Sequence, residues 1–180
     1  MNVVSSESDG ESLCLDRYKC RPNRYNEPMA HIHEYPVSVQ WSGGRDGSGS
    51  ITADTSKVSF PLSVPPEFQG KGEGTNPEEL LTSAVAGCYS ITFGIVASMR
   101  KLPFSGVDAK VTGEVSQEGA NLVFTKITIR PTITLSADAT DEQVSTAEDV
   151  AHKADQYCLI TNAVRGKVEV VVEPTIVKGS

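Results

Sequence analysis

The stretch from Leu80 to Met99 is twenty residues long and contains no charged side chain. A run of this length and composition fits either a helix that crosses a bilayer or the central helix of a globular domain. The run also holds five serine or threonine residues and two glycines, and the strand patterns around it need an apolar partner. We therefore predict a central helix and no membrane span.

The start and the end of this helix are marked in the sequence. Asn76 is a good N-cap, Pro77 suits the first helical position, and Glu79 at the third position can close a capping box. The helix is expected to run to about Met99, ahead of Pro103. Cys88 lies in the middle of it.

Strand patterns occur on both sides of the helix, two before it and two after it. Their apolar residues alternate with polar ones and are Tyr35, Val37, Val39 and Trp41; Val58, Phe60, Leu62 and Val64; Val107, Ala109, Val111 and Val115; and Ile127, Ile129, Ile133 and Leu135. The glycine-rich "SGGRDGSGS" is interpreted as the turn between the first two strands. Pro131 predicts a sheet edge or a bulge.

A second helix and a last strand complete the pattern. Thr140, with Gln143 three residues on, caps a helix that reaches about Tyr157, and Gly166 turns the chain into "KVEVVVEP". The order β-β-α-β-β-α-β with mostly antiparallel hairpins is α+β. We expect one domain at residues 34–180, preceded by a polar, poorly ordered extension at residues 1–33.

Composition and motifs exclude several classes of function. A formal net charge of −7 disfavours nucleic acid as a partner. The four cysteines include no CxxC pair, and His31 with His33 leaves a metal site short of ligands. The glycine-rich turn lacks the Lys-Ser/Thr of a phosphate loop. The N-terminal region shows no apolar signal segment, so a cytoplasmic protein is expected.

Two cysteines, Cys88 and Cys158, lie at predicted helix positions 70 residues apart. Cysteines in such places are either small core residues or a redox pair, and the residues alone leave both interpretations open. His152, on a charged helix face, offers no general base. Because Cys88 is mid-helix, its own helix dipole activates it little, so a nucleophilic Cys88 would need a cation from another element. Arg45 in the glycine-rich turn is the candidate.

Two segments carry a resemblance to a known family. "GTNPEELLTSAVAGCY" and, far downstream, "ADQYCLITNAVRGKVEV" resemble the OsmC/Ohr family of osmotically induced and organic hydroperoxide resistance proteins, over residues 35–175. The resemblance implies the OsmC-like fold, with antiparallel sheets packed around a long central helix in an intertwined homodimer. It also implies a thiol-dependent peroxidase that uses no metal, haem or flavin.

Matched by position, the family's functional residues fall on four side chains. The resemblance makes Cys88 the peroxidatic cysteine and Cys158 the resolving one, with Glu78 as the family's acid. The "GGRDG" turn is similar to the organic-hydroperoxide branch, so Arg45 is expected to contact the reactive thiolate. Leu159 stands after the second cysteine, where both branches commonly have proline.

These residue types suit peroxide reduction. A thiolate attacks the peroxide, a guanidinium stabilises the thiolate, and the second cysteine traps the sulfenic acid as a disulfide. An external dithiol, of dihydrolipoyl or thioredoxin type, then restores both thiols. An apolar wall with Ala84, Val85 and Ile95 favours an organic hydroperoxide.

The alternatives are a peroxidase of broader or hydrogen peroxide preference, acting in osmotic or oxidative stress, and a non-catalytic carrier of apolar ligands. The position of Glu78 bears on assembly. A continuous helix would separate Glu78 from Cys88 by roughly 15 Å, too far for one arginine to serve both within a chain. The sequence therefore predicts an obligate homodimer with its sites near the interface.

Overall fold

The computed structural model describes residues 30–179 of the chain. It divides into two units, Met1–Tyr35 and Pro36–Ser180, and the described end of the first unit is exposed and has no regular secondary structure. Cys14 and Cys20 lie outside the described residues. The division into an extension and a domain at residue 34 stays a prediction.

The described part is a mixed α+β fold, as the sequence predicts. Its elements are β1 (Val37–Ser42), β2 (Ser48–Ala53), β3 (Ser59–Ser63), a 3-10 turn (Pro66–Phe68), α1 (Pro77–Met99), β4 (Phe104–Glu118), β5 (Asn121–Leu135), α2 (Asp141–Tyr157), α3 (Leu159–Val164), β6 (Glu169–Val172) and β7 (Thr175–Lys178). β1, β2 and β3 form an antiparallel sheet. In the second sheet β5 is central, with β4 antiparallel on one side and β6 and β7 parallel on the other.

Three elements differ from the sequence-based prediction. β2 was not predicted, because its Ser-, Gly- and Thr-rich sequence lacks an alternating apolar face. The last strand is two short strands, interrupted at Glu173 and Pro174, and both pair with β5 in parallel rather than antiparallel fashion. The six-residue helix α3 follows directly after Cys158 and was also not predicted.

Pro131 lies at neither an edge nor a bulge, so that prediction is wrong. It is buried in the central strand, opposite Ala109 of β4. On the other side of β5, pairing with β6 ends at Ile129 and pairing with β7 begins at Thr132. Proline has no N–H to donate, and this interruption in pairing is where the sheet tolerates one.

The helix starts are set by side chains, largely as predicted. The Asn76 side chain accepts a hydrogen bond from the N–H of Glu79 at 2.8 Å. The Glu79 carboxylate accepts from the Thr75 hydroxyl at 2.9 Å instead of closing a capping box, so that detail was wrong. Thr140 and Gln143 do form a full capping box at the start of α2.

One stripe of α1 forms the centre of the core. Val85, Tyr89, Phe93 and Ala97 follow each other at four-residue spacing and are all fully buried. They belong to one cluster with apolar residues of β5 and α2, namely Ile127, Ile129, Ile133, Leu135, Ala147, Val150, Ala151 and Ala154. The second sheet and α2 therefore cover this side of α1.

The other side of α1 is open within the chain, so a single chain does not bury the predicted central helix on all sides. Ile91, Ile95 and Met99 are 66%, 57% and 77% exposed. By length and mean hydropathy (1.7) α1 could also cross a membrane, which is weak evidence for a single helix. The absence of a membrane span stays a prediction. The first sheet likewise exposes the apolar side chains of Val37, Val39, Trp41 and Phe60, and Val58 just before β3 is exposed as well.

Tyr89 joins α1 to α2 by a buried hydrogen bond, in which its hydroxyl donates to the Ala151 carbonyl at 2.8 Å. Burial, and then the charge of Asp155, raise the pKa of this phenol, which keeps it a neutral donor. We expect Tyr89→Phe to lower the free energy of unfolding by about 1 kcal/mol, the usual net value of such a bond. Urea unfolding measures this, with Tyr157→Phe, at a 67% exposed position, as the matched control. Equal stability of the two variants would contradict the expectation.

Candidate functional site

The two cysteines predicted as a pair meet where α1 passes the junction of α2 and α3. Cys88 lies in α1, and Cys158 is both the last cap of α2 and the N-cap of α3. Both are free thiols, and each is close enough to the other to shift its pKa. Cys158 is fully buried, whereas Cys88 is partly exposed. Only Cys88 is thus open to a molecule from solvent.

Several hydrogen-bond donors surround the two sulfur atoms. The Cys158 thiol, the Thr92 hydroxyl and the backbone N–H groups of Ile160 and Leu159 are close enough to the Cys88 sulfur to lower its pKa. The Cys158 sulfur accepts from the N–H of Thr161 at 3.2 Å. The first turn of α3 therefore brings backbone N–H groups close to both cysteines.

These contacts separate the acidities of the two thiols. Burial raises the pKa of Cys88, but the hydrogen bonds from Cys158, Ile160, Thr92 and Leu159 together outweigh it, so the net pKa is below the ordinary thiol value. Burial raises the pKa of Cys158, and donation to Cys88 raises it further. Cys88 therefore loses its proton first, and its thiolate is held by a Cys158 that remains protonated.

Polar contacts hold α3 in this position. Arg165, just after α3, forms an ion pair with the carboxylate of Asp155 in α2 at 3.0 Å. The Arg165 Nε also donates to the Asn162 side chain, and Asn162 donates to the carbonyl of Gln156 at 2.9 Å. The end of α2 is thus tied to α3 on both sides of Cys158.

Glu78 and Arg45 lie apart from the cysteines within one chain. α1 is continuous from Pro77 to Met99, so ten helical residues separate Glu78 from Cys88, a rise of about 15 Å. Glu78 lines a cavity of about 700 Å³, and its Oε2 atom is buried without a hydrogen-bond partner in the described chain. Arg45 is exposed and donates to the Gln69 side chain at 2.9 Å.

An apolar groove of about 480 Å³ starts next to the thiols. It is lined by Thr92, which is close to the Cys88 sulfur, by Ile95, Val96, Met99, Val150 and Tyr157, and at its polar side by Arg100, Asp149 and Lys153. Of the three residues predicted to form the apolar wall, Ile95 lines this groove and the other two do not. Val85 is fully buried on the core side, and Ala84 is exposed outside this groove.

Sequence reasoning found the cysteines but missed the donors. It looked for a cation to activate Cys88, whereas within the chain Thr92, Leu159 and Ile160 supply uncharged donors. Thr92 stands four residues after Cys88, on the same side of the helix, which was a usable signal. The backbone donors have no signal in residue type, because any residue except proline carries an N–H.

The fold is that of a known class. The OsmC-like protein model matches residues 70–173, and the chain belongs to this family, as the sequence resemblance predicts. It is 31% identical over 147 residues to the uncharacterized protein YmaD of Bacillus subtilis, covering 82% of this chain and 97% of that protein. It is 30% identical to the organic hydroperoxide resistance protein of Xanthomonas axonopodis pv. citri, covering 77% of this chain and 92% of that protein.

The fold comparison agrees with this assignment. The crystal structure of an organic hydroperoxide resistance protein OsmC from Legionella pneumophila superposes with a TM-score of 0.63 at 23% identity. The match covers 80% of this chain and 99% of that one. The α+β, OsmC-like fold is therefore confirmed.

Proposed function

We propose that this protein is a thiol-dependent peroxidase that reduces organic hydroperoxides, with Cys88 as the peroxidatic and Cys158 as the resolving cysteine. The observation that carries the proposal is the cysteine pair itself, in which a partly exposed Cys88 of lowered pKa lies beside a buried Cys158 of raised pKa. Family membership and the relatives named for organic hydroperoxide resistance support it.

The reaction follows from these roles. The Cys88 thiolate attacks the outer peroxide oxygen, the O–O bond breaks, and the alkoxide leaves with a proton as an alcohol. Cys88 is then a sulfenic acid. The Cys158 sulfur attacks it, the S–O bond breaks, and water leaves as the disulfide forms. A cellular dithiol reduces the disulfide by two exchange steps, which a reducing cytoplasm would supply.

The groove next to Thr92 supports an organic substrate. Its apolar side chains from Ile95 to Tyr157 can cover an alkyl or aryl tail, whereas hydrogen peroxide has nothing to place there. A non-catalytic carrier would use the same groove. It would have no need of two thiols whose pKa values are shifted in opposite directions.

We also propose a homodimer. The open side of α1 combines large apolar residues with Gly87, where a Cβ would meet nothing within 4 Å in the chain. Glycine inside a helix costs about 1 kcal/mol relative to alanine, and a close second helix is a reason to keep one. A partner packed here would cover Ile91 and bring its own polar residues to the edge of the Cys88 site.

The test of the activity compares two peroxides under one set of conditions. With a dithiol reductant in excess, kcat/KM for cumene hydroperoxide is expected to exceed that for hydrogen peroxide by at least about tenfold, because burial of the aryl tail contributes several kcal/mol. Dihydrolipoamide and thioredoxin are assayed as alternative dithiols. Equal kcat/KM values would favour the broader peroxidase, and no reduction of either peroxide would favour the carrier.

A further inference from the structure

The chain breaks between two helices at Cys158, and side chains carry the connection across the break. Cys158 has an extended backbone, with φ −71° and ψ 117°, and its N–H closes the last turn of α2 by donating to the Ala154 carbonyl at 3.1 Å. The next backbone bond runs from the N–H of Asn162 to the Cys158 carbonyl at 3.0 Å. Within residues 30–179, no backbone hydrogen bond joins α2 directly to α3.

Arg165 spans this break from the far side. Its Nη2 donates to Asp155 twice, to the carboxylate at 3.0 Å and to the backbone carbonyl at 3.3 Å. Its Nε donates to the Asn162 side chain at 3.2 Å, and Asn162 donates to the Gln156 carbonyl at 2.9 Å. Carbonyls in the last turn of α2 thus accept from side chains that follow Cys158. These four hydrogen bonds of Arg165 and Asn162 form the α2–α3 clamp.

The clamp also meets an electrostatic need of α2. A cation stabilises the C-terminal end of a helix, but α2 carries no basic residue in its last turn. Arg165 supplies that cation from outside the helix. The Asp155 side chain is 11% exposed and needs a partner, whereas the Arg165 side chain is 48% exposed. Loss of the guanidinium is therefore expected to loosen the end of α2 together with α3.

The other side of the cysteine pair is fixed independently. Tyr89, next to Cys88 in α1, donates to the Ala151 carbonyl of α2 at 2.8 Å, which holds the two helices together before the break. Cys158 lies beyond this point. Apolar packing of Ile160 against the core also holds α3, but such packing is not directional. The direction of the Cys158 sulfur therefore depends on the clamp.

We propose that Arg165 is a positioning residue for the resolving step, because the clamp holds the Cys158 sulfur within reach of Cys88. This inference rests on the proposed function, which assigns Cys158 the attack on the Cys88 sulfenic acid. An attack within one molecule is fast only in the correct geometry, and a displacement of about 1 Å can cost about a hundredfold in rate. Loss of Arg165 thus slows formation of the disulfide more than it slows oxidation of Cys88.

The experiment follows the same attack without a peroxide, in a chain with Cys14→Ser and Cys20→Ser. The reagent is one equivalent of the aryl disulfide dithiobis(nitrobenzoate). The Cys88 thiolate attacks it, its S–S bond breaks, and one thionitrobenzoate leaves. Cys158 then gives its proton to solvent and attacks the Cys88 sulfur, and the second thionitrobenzoate leaves as the disulfide forms. Stopped-flow absorbance measures both releases, and the second is a first-order step within one chain.

Arg165→Met is expected to slow the second release by at least about tenfold. In that step Cys88 is already a mixed disulfide, so its acidity does not enter. Arg130→Met is the matched control, because Arg130 forms a 2.8 Å ion pair with Glu173 at similar exposure, 52%, on the outer face of β5. It is expected to keep the native rate. Arg165→Lys covers the case in which Arg165→Met does not fold. A single amine does not reproduce the forked contact, so an intermediate rate is expected.

Asp155→Ala separates position from charge. This variant opens the clamp from its other end, so positioning predicts a slower second release here as well. If Arg165 acted only by favouring the Cys158 thiolate through its charge, removal of the nearby carboxylate would favour that thiolate further, and the second release would become faster.

Native second-release rates in both Arg165→Met and Arg165→Lys would overturn the inference, as would an equal loss in Arg130→Met. Acceleration in Asp155→Ala would overturn it too. Failure of the proposed function is seen separately, because the reagent contains no peroxide. A native protein that completes both releases and reduces no hydroperoxide would contradict the peroxidase and leave the positioning role of Arg165 in place.

Discussion

Replacing Cys88 by serine is expected to abolish peroxide reduction, with kcat/KM falling by at least about a thousandfold, as when an enzyme loses its nucleophile. A serine hydroxyl keeps its proton at neutral pH, and four donors around it do not make it an alkoxide. The measurement is steady-state turnover of cumene hydroperoxide with a dithiol in excess. Retained turnover in Cys88→Ser would remove Cys88 from the mechanism.

The matched control is Cys158→Ser, which separates oxidation from turnover. This variant keeps the accessible sulfur and loses the buried one, so it is expected to consume one equivalent of peroxide and then stop. Mass spectrometry should show one added oxygen atom on Cys88, or more after overoxidation, and no disulfide. Multiple turnovers at the native rate would show that a different thiol, or the reductant itself, resolves the sulfenic acid.

The pairing of Cys88 with Cys158 was predictable because family motifs place both, and the structure brings both together. The periodic pattern also located α1, β4, β5 and α2, where burial on one face leaves a strong signal. β2 lacks that signal. Its residues are small and polar, and its place in the first sheet depends on pairing with β1 and β3 rather than on its own composition.

The activation of Cys88 was the less predictable part. A search for charged side chains pointed to Arg45, whereas the donors in the described chain are Thr92 and the backbone of α3. Backbone donors depend on where a six-residue helix starts, and short helices carry too few residues to show a period. The role of Arg45 is still a prediction, and its position in the structure suggests which subunit's Cys88 it serves.

Arg45 and Glu78 lie in the same region of the fold. Arg45 donates to Gln69, and the neighbouring residues Glu67 and Phe68 line the cavity that contains Glu78. Within residues 30–179 the carboxylate of Glu78 has a buried oxygen without a hydrogen-bond partner, and a guanidinium matches such a group well. Since Cys88 lies about 15 Å further along α1, we infer that this pair serves the Cys88 of a second subunit packed on the open side of the helix.

Subunit complementation tests this arrangement with large effects. Cys88→Ser and Arg45→Ala homodimers are each expected to be nearly inactive, the latter by about a hundredfold or more because a charge-stabilising group is lost. A heterodimer of the two variants, isolated through a different affinity tag on each chain, combines an intact Cys88 with the intact Arg45 of its partner at one of its two sites. If Arg45 acts across the interface, the heterodimer should regain about half of the native turnover.

The remaining outcomes are equally decisive. An inactive heterodimer would mean that Arg45 serves the Cys88 of its own chain, and a fully active Arg45→Ala homodimer would remove Arg45 from the site. Recovery of only separately tagged monomers, confirmed by sedimentation at micromolar concentration, would contradict the dimer. A heterodimer of Cys88→Ser with Glu78→Gln repeats the test for the carboxylate, because Glu78 is expected to act with Arg45 from the same chain. Suppose that activity returns in both heterodimers while the parent homodimers are inactive. Each of the two sites then combines the cysteine pair of one subunit with Arg45 and Glu78 of the other subunit, so a single chain cannot complete a site.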